Sequence, residues 1–316
     1  MKSSKYGKMG YATIEAAAAE HGCTVRKLAL DGDDAATSLA ECDVLIAKAT
    51  DDIVDAEQCG SAAAAVRSRR LAELLSAAPH VVVVDPIATQ RLVLSRSALY
   101  SSLANVAAQP SLCELLAQPR FVVLEPGESA ARCAAELTFP MVAKTDLACG
   151  TPESHHMVVA RTTDELEAWV RERPAARVVV QEFVSHAATV YKCFAVGSVT
   201  GVSSRPSIDA PTEGALSFDS QLALPGAKAR ESIAAVDAAV ERVAALVRDA
   251  LASLYGFSVF GFDLLAVDGS GGRFAIVDVN YFPGFKEMVG DGSFAHELLE
   301  HAKRKLFESK RASEAL

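Results

Sequence analysis

Three side chains with hard oxygen donors, Asp263, Asp278 and Asn280, stand near the C-terminal end of this 316-residue chain at a spacing that suits a divalent cation. They lie in two β-rich runs, SVFGFDLLAV and RFAIVDVN, separated by the turn sequence DGSGG, which together read as a hairpin. A hairpin symmetric about the Gly-rich turn sets Asp268 opposite Arg273 and, further out, Asp263 opposite Asp278. Directly opposed residues have Cβ atoms about 5 Å apart. Two carboxylates that close repel unless a cation lies between them. Asn280, two positions beyond Asp278, shares its face of the strand. Two carboxylates and an amide oxygen on one face suit Mg²⁺ shared with substrate phosphates. A solvent-facing acidic hairpin is the plain alternative. The apolar neighbours and the N-Y-F-P-G-F run that follows speak against it.

Further polar residues interrupt apolar strands elsewhere. Lys144 ends the run PMVAK, and the loop after it contains Gly150-Thr151 and closes on His155 and His156. A lysine projecting from a strand beside such a loop can hold nucleotide phosphates. The run 178–184 is apolar until Gln181 and Glu182, as at a strand end whose backbone bonds an adenine edge and whose side chains flank it. Lys192 alternates with apolar neighbours in Y-K-C-F-A-V, and a lysine on a mostly buried strand needs an anionic partner. Arg205, in S-S-R-P-S, adds a cation to the same region.

These residues need a scaffold of strands. Residues 11–21 read as a helix ending near Gly22, 25–30 and 43–49 as strands, about 55–76 as one long helix, and 81–85 as a buried parallel strand. Residues 88–107 read as helical and carry Arg96 and Ser97. Strands are predicted at 121–125, 140–144, 157–161, 176–184, 189–197 and 198–206, with helices at 128–137 and 163–172. A helix over 230–255 stops at Gly256. A terminal helix follows over 293–306, with a frayed tail at 308–316. The expected division is an N-terminal α/β lobe (1–86), a central lobe (87–184) and a C-terminal lobe with the metal residues (185–316), an α/β architecture of α+β lobes.

Composition excludes several classes. No apolar run approaches the roughly 20 residues of a membrane span. The first residues, MKSSKYGKMGY, lack the apolar core of a secretory signal. Seven scattered cysteines form no C-x-x-C pair, which points to reduced thiols in a cytosolic or nuclear protein. A net charge of −9 disfavours general nucleic-acid binding. The lack of a sustained heptad points to a monomer.

The segments V-D-P…S-R-S (84–97), F-P-M-V-A-K-T (139–145), G-T-P-E-S-H-H-M (150–157), V-V-Q-E-F-V-S-H (179–186), Y-K-C-F-A-V-G (191–197), R-P-S (205–207), F-G-F-D (260–263) and V-D-V-N-Y-F-P-G (277–284) carry a resemblance. In this order and spacing they resemble the inositol-tetrakisphosphate 1-kinases, also called inositol 1,3,4-trisphosphate 5/6-kinases, of ATP-grasp fold. The resemblance implies three lobes, with ATP between the central and C-terminal ones. It implies Mg²⁺ on Asp263, Asp278 and Asn280, and ATP phosphates on Lys144 and Arg96. The adenine hinge falls over Gln181, Glu182, Phe183 and Val184 toward Lys192. Ser207 and Ser220 match nucleotide-contacting serines. His155, rather than His156, and Lys192 match substrate-phosphate contacts, Asn280 is shared with substrate, and Gly284 matches the backbone that approaches the inositol ring. Lys144, Lys192 and His155 are the residues implied to act in catalysis. Lys5, with Lys8 beside it, matches the family's substrate lysines.

Three departures qualify the match. The family opens with a strand before its lysine cluster, and here the chain begins after it, as a truncated start or a lobe one strand short. Cys149 stands where some relatives have histidine and others aspartate. The segment 208–229 departs from the animal enzymes, and N-Y-F-P-G-F-K is closer to the plant and protist branch. The implied activity is ATP-dependent phosphorylation of an inositol polyphosphate hydroxyl. Its rivals are an ATP-grasp carboxylate–amine ligase and a non-catalytic inositol phosphate or nucleotide sensor.

Overall fold

The computed structural model describes residues 11–222, 224–225, 236–285 and 293–314. The first lobe contains α1 (Tyr11–Ala17), α2 (Ala35–Ala40), β1 (Val44–Ile46), α3 (Thr50–Glu57), α4 (Ala62–Ala77) and β2 (Val82–Val84). β1 and β2 pair in parallel, Val44 opposite Val82 and Ile46 opposite Val84. The strand expected at 25–30 does not form. Arg26 and Lys27 both reach into solvent, to Glu41 at 2.5 Å and Glu15 at 3.3 Å, so neighbouring side chains do not alternate between faces as a half-buried strand requires. Leu28 and Leu30 still pack on Leu39, Leu74 and their neighbours. The single helix expected over 55–76 is two. Gly60 takes a left-handed φ of +66°, and the Ser61 hydroxyl accepts from Ala64 N at 3.3 Å to start α4.

The helical stretch expected at 88–107 is likewise divided, into α5 (Ile87–Leu92) and α6 (Arg96–Ala107), with Ser95 capping α6. The central elements are β3 (Phe121–Leu124), α7 (Ala131–Glu136), β4 (Met141–Thr145), a 3₁₀ turn (Pro152–His155), β5 (His156–Ala160), α8 (Thr163–Arg171) and β6 (Val178–Glu182). β7 (Thr189–Val196), β8 (Val199–Pro206), β9 (Leu216–Asp219), α9 (Ala238–Tyr255), β10 (Val259–Ala266), β11 (Phe274–Tyr281) and α10 (Ser293–Glu314) complete the described chain. Two antiparallel sheets result, of order β3-β6-β4-β5-β9 and β11-β10-β7-β8.

Two segments cross the expected lobe boundaries. β9 pairs with β5 and so joins the central sheet. Leu99, Leu103 and Val106 of α6 lie in the same apolar cluster as Val243, Val247, Phe260 and Phe262 of the C-terminal lobe. The central sheet turns one face to each side. Val178 and Val180 pack with Leu166 and Trp169 of α8, whereas Val179 joins the C-terminal cluster. The face carrying Val179 is therefore the one turned toward the second sheet.

α10 runs to Glu314, past the expected end at 306. Its last turns are exposed and rich in helix formers, with Arg311 over the ring of the exposed Phe307 at 5.8 Å. Residues 226–235 lie outside the described part, and α9 starts where the Asp237 carboxylate accepts from Ala239 N at 2.9 Å and Val240 N at 3.0 Å. All seven cysteines are free, and no helix among the described residues is long and apolar enough to cross a membrane.

One buried group sets an expected pH response. His301 of α10 is 4% exposed and its Nε2 finds no hydrogen-bond partner among the described residues. Burial, then the fields of Arg304 and Lys305, push its pKa from 6.5 down to about 4. The folded form therefore resists protonation that the unfolded form accepts, so stability is lost as pH falls from 6.5 toward 4. Urea unfolding across that window should show the fall, and His301→Phe should flatten it.

Candidate active site

The β10–β11 hairpin sets Asp263 opposite Asp278, but not through a symmetric turn. The inner register pairs Leu264 with Ile276 and Ala266 with Phe274, which on its own would set Asp263 opposite Val277. A bulge between Asp263 and Leu264 shifts the register by one and brings the two carboxylates face to face. The expected Asp268–Arg273 pair does not form. Arg273 O accepts from Val267 N at 2.9 Å, and the Asp268 carboxylate accepts from Ser185 Oγ at 2.7 Å and Ala187 N at 3.1 Å.

The row continues across the sheet. Asp263 faces Lys192 of β7, and Lys192 faces Ser203 of β8. Asp278, Asp263, Lys192 and Ser203 thus lie side by side on one face, with Asn280 in the next row. The Lys192 ammonium lies 2.5 Å from Asp263 Oδ2. Asn280 donates through Nδ2 to Asp278 Oδ2 at 2.8 Å, which leaves its amide oxygen directed elsewhere. Burial pushes the Asp263 pKa up. The Lys192 charge opposes that shift and the Asp278 charge adds to it.

Lys144 stands on the facing sheet, 8% exposed, with its ammonium donating to Tyr100 Oη at 2.7 Å and Gln181 Oε1 at 3.5 Å. Among the described residues it has no carboxylate partner within ion-pair distance. Its positive field reaches Asp263 across the cleft and favours the ionised carboxylate. Gln181 is buried beside it, but Glu182 points to the opposite face of β6. There it pairs with Arg120 at 2.6 Å and accepts from Thr138 N at 3.1 Å, so its side chain does not flank the cleft as expected. Phe183 N donates to Pro140 O at 2.9 Å, and Val184 O accepts from His186 Nδ1 at 2.5 Å. The Ser207 hydroxyl is held by His186 Nε2 at 2.8 Å.

The loop between β4 and β5 is built around Arg96. Its guanidinium, 4% exposed, donates to Thr145 O at 2.6 Å, Leu147 O at 2.9 Å, Ala148 O at 3.5 Å and Ser154 O at 2.8 Å. The resemblance made Arg96 a phosphate ligand, but these four carbonyls commit it to shaping the loop. Its place at the start of α6, against β4, explains the difference. Gly150, at φ +91°, packs on α3, where an added Cβ would lie 2.5 Å from Val54 Cγ1. His155 closes the loop. Its Nε2 is 2.9 Å from Gln221 Nε2, and its carbonyl accepts from Ser220 N at 3.0 Å. Burial lowers its pKa, the Arg96 charge adds to that, and the fields of Asp219 and Asp278 oppose it. His156 turns outward to Asp219 at 3.5 Å.

Lys5 and Lys8 lie outside the described residues. A cation that sequence reading passed over is Lys48, which follows β1 and donates to Phe282 O at 2.9 Å, beside Pro283 and Gly284. Its position at the C-terminal end of an apolar parallel strand, where α/β sheets hold ligands, was the available signal.

Two antiparallel sheets facing across a cleft, one with a buried lysine and the other with a carboxylate row, define an ATP-grasp protein. Solved structures of that fold superimpose on most of the chain. A D-alanine–D-alanine ligase from Bacillus anthracis aligns over 99% of this chain and 96% of its own, at TM-score 0.59 and 14% identity. A RimK domain ATP-grasp protein from Sphaerobacter thermophilus aligns over 93% and 95%, at TM-score 0.57 and 19% identity. At these identities the likeness is one of fold. More narrowly, the chain belongs to the inositol 1,3,4-trisphosphate 5/6-kinase ATP-grasp family, whose profile matches residues 112–304. The inositol-tetrakisphosphate 1-kinase of Xenopus laevis is 30% identical over 82% of this chain and 66% of its own, and that of Danio rerio 27% over 95% and 76%. Inositol-tetrakisphosphate 1-kinase 5 of Oryza sativa subsp. japonica is 33% identical over 49% of this chain and 48% of its own. The chain thus spans about two thirds to three quarters of these animal relatives' lengths and about half of the rice one's.

Proposed function

We propose that this chain is an ATP-dependent inositol polyphosphate kinase that transfers the γ-phosphoryl group to a ring hydroxyl, of the inositol 3,4,5,6-tetrakisphosphate 1-kinase or inositol 1,3,4-trisphosphate 5/6-kinase type. The observation that carries the reading is the pair of opposed charged groups. Among the described residues Lys144 is a buried cation without a carboxylate partner, and the Asp278–Asp263–Lys192 row faces it. A buried ammonium is costly unless an anion completes it, and a nucleotide phosphate does so.

The donor set fits Mg²⁺. Asp263, Asp278 and the amide oxygen of Asn280 are hard ligands. Phosphate oxygens would complete the coordination of an ion held there. The Lys192 ammonium 2.5 Å from Asp263 supports the reading that this carboxylate is placed to pair with a positive charge. When bound there, Mg²⁺ supplies charge neutralisation for the β- and γ-phosphates. Lys144 holds the nucleotide phosphates from the opposite sheet. Lys192, on leaving Asp263, is placed to follow the transferring group. His155, Lys48 and the turn at Gly284 border the acceptor side. Phosphoryl transfer passes through a loose transition state, so alignment and charge neutralisation by these side chains are the main catalytic task. We also assign Ser220 to the wall of the nucleotide site through its bond to the His155 loop. The backbone of 181–184 is the adenine-binding segment.

Turnover with Mg-ATP against a panel of inositol phosphates, with products separated by anion exchange, tests the reading. A product one phosphate heavier from inositol 1,3,4-trisphosphate or 3,4,5,6-tetrakisphosphate is expected. Amine-dependent ADP release with no such product would instead indicate a ligase.

A further inference from the structure

We propose that the hydroxyl of Tyr281 is a positioning group that clasps the N-terminal lobe to the metal-bearing strand β11, and so sets where an inositol phosphate acceptor lies relative to the carboxylate row. The inference rests on the kinase reading above for its catalytic consequence, and on geometry alone for the clasp.

Tyr281 follows Asn280 directly and is 3% exposed. Its hydroxyl accepts from Asp85 N at 2.8 Å and lies 3.2 Å from both Ala47 O and Val84 O, two acceptors for its one proton. Ala47 follows β1, and Val84 ends β2. One hydroxyl therefore gathers the C-terminal ends of both described strands of the first lobe, the edge at which parallel sheets present ligands. The reciprocal tie is one residue away on each side, where Lys48 donates to Phe282 O at 2.9 Å.

Two neighbouring groups brace the same seam. Gln90, fully buried, donates to Ala47 O at 2.8 Å and Asp85 O at 3.0 Å and accepts from Ala49 N at 2.8 Å. The Asp85 carboxylate accepts from Ser258 N at 2.7 Å, Val259 N at 3.1 Å and the Ser258 hydroxyl. A buried network with its members satisfied tolerates only one relative placement of the parts it joins. Here those parts are the strand with Asp278 and Asn280 and the loop with Lys48. Tyr281 is buried in this seam with its hydroxyl bonded to backbone groups of the first lobe, so its effect runs through the placement of that lobe.

The test is Tyr281→Phe, which keeps the ring and deletes the hydroxyl. KM for the inositol phosphate is expected to rise at least about fivefold, the order of one lost hydrogen bond. Affinity for Mg-ATP, measured by displacement of a fluorescent nucleotide, should stay within about twofold, since Lys144 and Gln181 stand on the other sheet and the carboxylates are held by the β10–β11 pairing rather than by the Tyr281 hydroxyl. Amide exchange should quicken at 44–50 and 82–90 and remain unchanged at 141–145. Equal losses in acceptor and nucleotide affinity, or unchanged KM with unchanged exchange at 44–50, overturn the proposal. If wild-type protein phosphorylates no inositol phosphate, the kinase reading fails, and the exchange measurement alone decides the clasp. If Tyr281→Phe does not fold, Gln90→Leu cuts the adjacent ties and is read in the same two ways.

Discussion

Asp278→Ala should lower kcat by about 10³-fold or more, on the scale of losing a preorganised electrostatic group, while the protein stays folded. Asp278 sits in an edge position of its sheet, opposite a second carboxylate, and among the described residues its side chain accepts from the Asn280 amide at 2.8 Å. Its removal relieves the repulsion that adds to burial in raising the Asp263 pKa, so the ligand-free fold loses nothing large. The expected signature is a thermal midpoint close to wild type together with a loss of turnover and of metal-dependent nucleotide binding. Normal turnover in this variant would remove Asp278 from the metal site, and with it the reading of the hairpin.

Lys144→Met should move stability and function in opposite directions. The ammonium is 8% exposed and, among the described residues, bonds only neutral oxygens, Tyr100 Oη at 2.7 Å and Gln181 Oε1 at 3.5 Å. Replacing such a charge with an apolar chain of similar length is expected to stabilise the ligand-free protein by about 1–3 kcal/mol. Nucleotide affinity should fall about 10²-fold or more, because the phosphates lose a desolvated charge-assisted bond. Thermal unfolding with and without Mg-ATP reads both effects, since a ligand raises the midpoint only as far as it binds the folded form. A variant less stable than wild type that still gains stability from Mg-ATP would show that Lys144 is a structural residue.

The central and C-terminal sheets were largely legible from the chain, because their signals are local. The β-rich composition of 189–196 and 259–266, and the glycine-rich turn between the hairpin strands, identify those strands from short stretches. Helix ends were less legible. The single helix expected over 55–76 breaks at Gly60, and one residue of left-handed backbone leaves little trace in a hydrophobic pattern. The strand expected at 25–30 was misread because its leucines do pack inward, while Arg26 and Lys27 are held outside by Glu41 and Glu15, partners that only the fold supplies. Arg96 and Glu182 were placed at the nucleotide by motif. The fold turns one into the carbonyls of a loop and the other to Arg120 on the far face.

By itself, the sequence determined the kinds of groups available and their immediate neighbours: two aspartates and an asparagine on a hairpin, and lysines set singly in apolar strands. Those follow from backbone periodicity, which acts over a few residues. The tertiary structure decided which charges meet. The bulge after Asp263 aligns the carboxylates, the pairing of β10 with β7 gives Asp263 its lysine, and packing of α6 on β4 commits Arg96. The seam of Lys48 with Phe282 joins residues 234 positions apart. Contacts at that separation come from docking one buried polar surface on another, and no local pattern encodes which donor reaches which carbonyl.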